Sequence, residues 1–424
     1  MAPHTTTQTV TADDIRDSRL SNGVRLVTER MPEARSVALG AWVAVGGRDE
    51  PMPLAGASHF LEHLLFKGTS RYTARQIAEA IDAVGGEMNA FTSREHTAYY
   101  TRLPVAQVAL GLDILGDVLT DPAFRPHEVD AERHVIVEEI LMNLDMPEDH
   151  VHTLLAEALF PDHPLGREVL GTRETVEQAT RDDIASFFSH WYLPRNLVVA
   201  AAGDLDHDRI AEALEASLGH LAGGERPRRH VPSAGPQPLA LRSERTEQAH
   251  IALGWRAVDH NDDARYPLMV ANQVLGGGMS SRLFQEVREE RGLSYSVYSW
   301  VSTYADAGMA GVYAGTAPRR ARELLAVVDD EVAKMATSGV TEPELRVAKG
   351  YLEGSLLLGL EDSSSRMARL GRSLMARDEV IPLDEQLQRI RSVTTEDVAR
   401  VAAQVYGGDR SLTVIGPLDE SDLT

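Results

Sequence analysis

The chain carries the stretch His59-Phe60-Leu61-Glu62-His63, in which a glutamate directly precedes the second of two histidines. The surrounding residues are apolar and predict a helix over about residues 55–67. Side chains four residues apart share a helix face, so His59 and His63 can bind one metal ion. Glu62 lies one step round the helix from His63, where a carboxylate can act as a base on water beside the metal ion.

Composition limits what such a site can contain and what it can act on. The 424 residues exceed one ordinary hydrophobic core and predict two or more domains. Zero cysteines exclude disulfides and thiolate ligands, which leaves imidazole and carboxylate, the ligands of hydrolytic zinc sites. A net charge of −22 argues against nucleic acid as a partner. It favours cationic substrates in an acidic space, although an acidic surface that only aids solubility explains the charge equally well.

The sequence gives no sign of a membrane or an export route. No run of about 18 apolar residues is present, so we expect no membrane span. The N-terminal stretch Met1-Ala2-Pro3-His4-Thr5-Thr6-Thr7-Gln8 lacks the basic and apolar regions of a secretory signal. We therefore expect a cytoplasmic protein.

The chain divides into two similar halves. Residues 221–238 are rich in Gly, Pro and charge, as in a linker, and predict domains over 1–220 and 239–424. Val37-Ala38-Leu39-Gly40 matches Ile251-Ala252-Leu253-Gly254 at an offset of 214 residues. Further along, an offset of 216 relates Glu128, Arg133, Leu144 and Asp145 to Glu344, Lys349, Leu360 and Glu361. Two similar offsets from separate segments indicate a duplication.

Each half predicts an α+β fold, with helices on one face of a largely antiparallel sheet, because strands precede several helices and a late strand. In the first half, residues 24–30 and 36–46 predict strands. Thr73 predicts a helix N-cap and Gly85 the end of the same helix. Residues 87–100 predict an exposed strand. Residues 126–160 predict two helices with a break at Met146-Pro147.

Two histidines leave a catalytic zinc ion one protein ligand short, and a carboxylate is expected to complete the site. The best source is the helix Glu132-Arg133-His134-Val135-Ile136-Val137-Glu138-Glu139-Ile140. Glu132 and Glu139 share one face of it, whereas Glu138 lies about 100° away from Glu139. If Glu139 binds the metal ion, Glu132 is placed to hold a ligating histidine in its tautomer and orientation.

The stretch Gly56-Ala57-Ser58-His59-Phe60-Leu61-Glu62-His63-Leu64-Leu65-Phe66-Lys67-Gly68-Thr69 resembles the zinc helix of the pitrilysin and insulin-degrading enzyme family. These proteins are inverzincins, and the likeness is closest to the mitochondrial and bacterial processing-peptidase branch. The family's third ligand is a glutamate about 75 residues beyond the motif. Glu139 lies 76 residues after His63, so the resemblance selects it over Glu138. It implies one Zn²⁺ ion per chain held by His59, His63 and Glu139, with Glu62 as general base.

The resemblance extends into both halves. The stretch Asn89-Ala90-Phe91-Thr92-Ser93-Arg94-Glu95 is similar to the family's substrate-binding edge strand, which implies that Asn89, Ala90 and Phe91 bind substrate. It continues through Gly276-Gly277-Gly278-Met279-Ser280-Ser281-Arg282-Leu283-Phe284. The family's second half supplies an arginine and a tyrosine seven residues apart, a spacing that Arg288 and Tyr295 match. Such a pair can hold the substrate carbonyl and stabilise the developing oxyanion.

The second copy lacks the metal ligands. At the offset of 216, Glu139 maps onto Ser355, and no histidine follows His260. This pattern predicts a catalytic half and a half that closes over it and excludes water. We expect a zinc metalloendopeptidase that acts on unfolded or extended peptides, as a homodimer or a heterodimer with a related subunit. The alternatives are a non-catalytic structural or assembly subunit, like the family's relatives in respiratory complexes, and a metal-stabilised peptide-binding module without turnover.

Overall fold

The computed structural model describes residues 14–423, so the stretch Met1–Gln8 that informs the export prediction lies outside the described part. The strands are β1 Ile15–Arg19, β2 Arg25–Arg30, β3 Ser36–Val43, β4 Glu87–Thr92, β5 Thr97–Pro104, β6 Leu197–Gly203, β7 Leu239–Ser243, β8 Ala249–Ala257, β9 Ser294–Thr303, β10 Gly308–Thr316 and β11 Arg410–Gly416. The helices of the first half are α1 Ala57–Leu65, α2 Ala74–Asp82, α3 Val108–Thr120, α4 Pro126–Leu144, α5 Pro147–Leu159, α6 Arg173–Gln178, α7 Arg181–Trp191 and α8 His207–Leu218. Those of the second half are α9 Arg265–Gly276, α10 Ala321–Ser338, α11 Glu342–Gly359, α12 Ser363–Arg377, α13 Leu383–Ser392 and α14 Thr395–Tyr406, with a π-helical segment at Phe284–Glu290.

The strands form two sheets of matching topology. The first has the order β1-β2-β6-β3-β5-β4 and the second β7-β11-β8-β10-β9. In each sheet one pair is parallel, β2 with β6 and β7 with β11, and the other pairs are antiparallel. Removing β1 makes the two strand orders and directions identical. The predicted α+β class with two homologous domains and largely antiparallel sheets is therefore confirmed.

The two halves exchange one helix each. Helix α5 of the first half packs on β8 and β11 of the second sheet, and α12 of the second half packs on β2, β3 and β6 of the first. The first residues of α5 and α12 are Pro147 and Ser363, which differ by the same offset of 216. Each sheet thus has its own helices on one face and the partner half's helix on the other. This reciprocal packing gives each half a helix that covers the sheet of the other.

The exchange explains the glycine shared by the duplicated strands. A Cβ atom on Gly40 would lie 2.4 Å from Met367 Sδ of α12. At the matching position, a Cβ atom on Gly254 would lie 2.8 Å from Leu159 Cδ1 of α5. Side chains of the exchanged helix thus occupy the space beside each glycine and would have to shift to admit a Cβ atom there.

Most local predictions agree with the structure, and one is wrong. Thr73 caps α2, and the break at Met146-Pro147 separates α4 from α5. Residues 87–100, however, do not form a single exposed strand. Residues 93–96 form a turn between the edge strand β4 and the mostly buried strand β5. The polar edge strand and the polar turn directly precede β5 in the sequence, so a prediction made over the whole stretch missed the buried character of β5.

The structure also bears on the linker and on membrane spans. Residues 221–238 form neither helix nor strand, and the boundaries of the two predicted domains stay a prediction. Across residues 14–423, no helix is long and apolar enough to cross a membrane. The cytoplasmic location stays a prediction.

Candidate active site

Helix α1 carries both motif histidines and packs against the hydrophobic core of the first half. Phe60, Leu61 and Leu65 are completely buried and fix one face of this short helix in the hydrophobic core. His59 is buried at 5% exposure, whereas Glu62 and His63 are half-buried. The apolar side chains anchor α1 and leave the polar face directed towards α4.

Helix α4 brings Glu139 to both histidines. Glu139 Oε2 lies 3.5 Å from His59 Nε2 and 3.5 Å from His63 Nε2. One ligand atom from each of the three residues lies within 4.8 Å of the others. Glu138 is exposed on another face of α4 and does not belong to this group. Two imidazoles and one carboxylate fit the ligand set of a catalytic zinc ion.

Glu132, one heptad before Glu139, orients the second histidine. Its Oε2 atom accepts a hydrogen bond of 3.1 Å from His63 Nδ1, which directs the other ring nitrogen, Nε2, towards Glu139. Its Oε1 atom lies 2.7 Å from Lys67 Nζ. Sequence reasoning missed Lys67, which lies just beyond the end of α1, because its partner Glu132 is 65 residues away in the chain.

Burial and mutual contacts shift the pKa values of His59, His63, Glu139 and Glu62. Burial lowers the pKa of His59 to about 4, although the Glu139 carboxylate opposes the shift. For His63, burial acts to lower the pKa, but hydrogen bonds to Glu139 and Glu132 outweigh it, and the pKa is raised. The hydrogen bond with His63 lowers the pKa of Glu139. Burial raises the pKa of Glu62, against a hydrogen bond from Thr92.

The predicted substrate-binding strand β4 lies at the edge of the first sheet, beside α1. In the described part of the chain, no strand pairs with its outer edge. Asn89 is exposed, whereas Ala90 is buried in the first core. The Phe91 ring packs against Trp42 at a centroid distance of 5.5 Å. Two of the three predicted side chains therefore point into the protein, and the backbone edge is the accessible part.

Arg288 and Tyr295 lie together in the second half. The Arg288 guanidinium stacks 4.4 Å from the centre of the Tyr295 ring and donates a hydrogen bond of 3.2 Å to the Tyr295 carbonyl. Tyr295 is 80% exposed. Between residues 14 and 423, no hydrogen bond or ion pair joins either residue to His59, Glu62, His63 or Glu139. The two residues form a pair, and their catalytic role stays a prediction.

Comparisons with known families match both halves. Residues 25–173 match the insulinase family, peptidase family M16, and residues 178–352 match the M16 inactive domain. An uncharacterized zinc protease of Streptomyces coelicolor is 46% identical over 416 residues, which are 96% of this chain and 90% of that protein. One from Bacillus subtilis is 39% identical over 396 residues, 93% of this chain and 97% of the relative. The chain belongs to the insulinase family of peptidases.

Solved structures show the same fold. A protease from Helicobacter pylori has a TM-score of 0.88 at 22% identity, over 95% of this chain and 99% of that one. An M16 inactive-domain protein from Pseudomonas fluorescens has a TM-score of 0.89 at 21% identity, over 96% and 99% of the two chains. At such identities the likeness concerns the fold alone.

Proposed function

We propose that the chain is a zinc-dependent endopeptidase that cleaves extended or unfolded peptides. The observation that carries the proposal is the meeting of His59 Nε2 and His63 Nε2 at one carboxylate oxygen of Glu139. Catalytic zinc uses three such protein ligands and keeps a further position for water. The names of the relatives, zinc proteases, support zinc as the metal, and the one three-ligand group found within residues 14–423 supports one Zn²⁺ ion per chain.

His59, His63 and Glu139 would hold the zinc ion, which would supply polarisation of the scissile carbonyl and make the attacking water more acidic. Glu62, on the same helix as both histidines, accepts the proton of the attacking water and passes it to the leaving amine. Glu132 keeps His63 in the tautomer that ligates through Nε2. The free edge of β4 pairs with the substrate backbone, so affinity depends little on side chains and favours extended peptides.

We further propose that the working enzyme is a homodimer or a heterodimer with a related subunit. Arg288 and Tyr295 make no bond to the metal-site residues. In the proposed dimer, the two subunits close around the substrate. An arginine–tyrosine pair would then reach the substrate oxyanion only in the closed state. The non-catalytic scaffold is disfavoured because the histidine and glutamate ligands are all retained and assembled.

The test replaces the proposed base. Glu62→Gln should bind zinc stoichiometrically yet lose peptide hydrolysis by roughly 100-fold or more, the usual contribution of a general base. Glu138→Gln, an exposed neighbour of the ligand on α4, is the matched control and should keep wild-type activity. Metal content and cleavage of an unstructured peptide, with and without a chelator, are the measurements. Unchanged hydrolysis by Glu62→Gln contradicts the mechanism, and a wild-type protein without stoichiometric zinc or cleavage supports the scaffold alternative.

A further inference from the structure

Three consecutive charged side chains are buried just before the metal helix α1. The side chains of Arg48 and Asp49 are 2% and 1% exposed, and Glu50 is 4% exposed. Buried charges are costly unless they are paired, and even paired they contribute little net stability. Their arrangement here is therefore better explained by the geometry that they impose than by stability.

Glu50 caps the helix that carries both histidines. Its Oε2 atom accepts a hydrogen bond of 2.7 Å from the Gly56 N–H group, and its Oε1 atom one of 2.6 Å from the Ser58 N–H group. Gly56, the residue at the N-cap position, has no side chain to make these bonds. A distant carboxylate thus binds the free N–H groups at the start of α1, one residue before His59.

Asp49 ties the same segment to the connection between the halves. Both of its carboxylate oxygens accept hydrogen bonds of 2.9 Å from Arg229, which lies within residues 221–238. Arg229 also donates a bond of 2.7 Å to the carbonyl of Glu95, in the turn that ends β4. The linker is thereby bonded to the segment that precedes the metal helix and to the turn that follows the edge strand.

Arg48 reaches the second half directly. Its guanidinium donates hydrogen bonds of 2.6 Å to Glu95 and 2.8 Å to Asp306, in the turn between β9 and β10. The Glu95 carboxylate in turn accepts a bond of 3.0 Å from the Ala305 N–H group. The turn of the second half is thus bonded to the residues that border both α1 and β4.

We propose that Arg48, Asp49 and Glu50, here called the charged junction, are positioning residues. They couple the position of the second half to the position of the metal helix α1. The junction sets how α1, the edge strand β4 and the second half lie relative to one another. A change in the second half that contacts no metal ligand therefore alters the metal site. The metal readout of this proposal rests on the proposed function, whereas the coupling itself does not.

The experiment uses two variants and one control in the full-length protein. Glu50→Gln removes one of the two accepting oxygens at α1, and Asp306→Asn weakens the contact from the second half. Asp263→Asn is the control, because Asp263 also pairs with an arginine of the second half, Arg389, but its side chain is 83% exposed. Hydrogen exchange of the α1 amides in chelator-treated protein measures helix order without metal. Competition with a chromophoric chelator measures the zinc dissociation constant.

We expect faster exchange over residues 56–62 in both variants. The zinc dissociation constant should rise about tenfold for Glu50→Gln, as for residues that orient metal ligands, and by less for Asp306→Asn. Asp263→Asn should match the wild type in both measurements. A merely structural role would lower the unfolding temperature and speed exchange across the whole chain, with no specific increase over residues 56–62 and no change in the zinc dissociation constant.

Three results overturn the proposal: α1 exchange that is unchanged in Asp306→Asn, a zinc dissociation constant that is unchanged in both variants, or equal effects in Asp263→Asn. If Glu50→Gln does not fold, Asp306→Asn decides, since it leaves the α1 cap intact. A wild-type protein that binds no zinc contradicts the proposed function instead. In that case the exchange measurement alone decides whether the junction couples the two halves.

Discussion

Glu132 offers the sharpest quantitative test of the metal site, because its two oxygens serve two different donors. Oε2 accepts from His63 Nδ1 at 3.1 Å and Oε1 lies 2.7 Å from Lys67 Nζ, at a residue exposure of 6%. Glu132→Gln keeps the shape but has one accepting oxygen, so an amide NH₂ group must face one of the two donors. Removal of such an outer partner costs roughly 10- to 100-fold in metal affinity, about 1.4 to 2.7 kcal/mol.

The assay is a zinc competition titration of Glu132→Gln beside Glu138→Gln, the exposed glutamate on the same helix. A second substitution isolates the cause. Lys67→Met removes one donor, so the glutamine oxygen of the double variant is free to accept from His63. The double variant should then bind zinc more tightly than Glu132→Gln alone. A dissociation constant for Glu132→Gln within twofold of the wild type, or no recovery in the double variant, would refute the reasoning.

Two further predictions concern the second half and its contact with the first. The Arg282 guanidinium and the capping bonds at Thr341 outweigh burial and lower the pKa of Glu344 to about 2, from an ordinary value near 4.5. Because the folded-state pKa is the lower one, Glu344 stabilises the protein above pH 4.5, and this stability is lost as the pH falls towards 2. In urea unfolding, Glu344→Gln should be less stable than the wild type by about 2 kcal/mol at pH 7 and nearly equal to it at pH 2. An equal loss of stability at both pH values would contradict an origin in the ionised carboxylate. Gly371→Ala should lower stability by about 1 to 3 kcal/mol, because its Cβ atom would lie 2.1 Å from the Trp42 indole, and unchanged unfolding would contradict the tight packing of α12.

Sequence reasoning succeeded where the signal is local or repeated. The four-residue spacing of His59 and His63 fixes a shared helix face in any α-helix, and the structure has both on α1. The seven-residue spacing of Glu132 and Glu139 did the same for α4. The offset of 216 recurs in the first residues of α4 and α11, Pro126 and Glu342. Residues alone left Glu138 and Glu139 open, and the family resemblance chose the glutamate that meets the histidines.

Sequence reasoning failed where a residue's partner is distant in the chain, or where one stretch contains both polar and buried segments. The stretch 87–100 looks like one exposed strand because its polar edge strand and turn come first and only its last four residues belong to the buried start of β5. Phe91 and Trp42 belong to a cluster completed by α12, more than 270 residues later in the chain. No local sequence pattern predicts this burial. The family resemblance implied an active-site role for Arg288 and Tyr295; the structure has the two in contact, and that role stays a prediction.

By itself the sequence determined the ligand types, the helix face that presents them, the duplication and the family. Helical periodicity, the absence of cysteine and repeated offsets are properties of the chain before it folds. Only the tertiary structure decided the exchange of α5 and α12, the pairing of Lys67 with Glu132 and the burial of Arg48, Asp49 and Glu50. The physical reason is that the partners of the charged junction, Glu95, Arg229 and Asp306, are far apart in the sequence. They meet only because the two halves pack against each other.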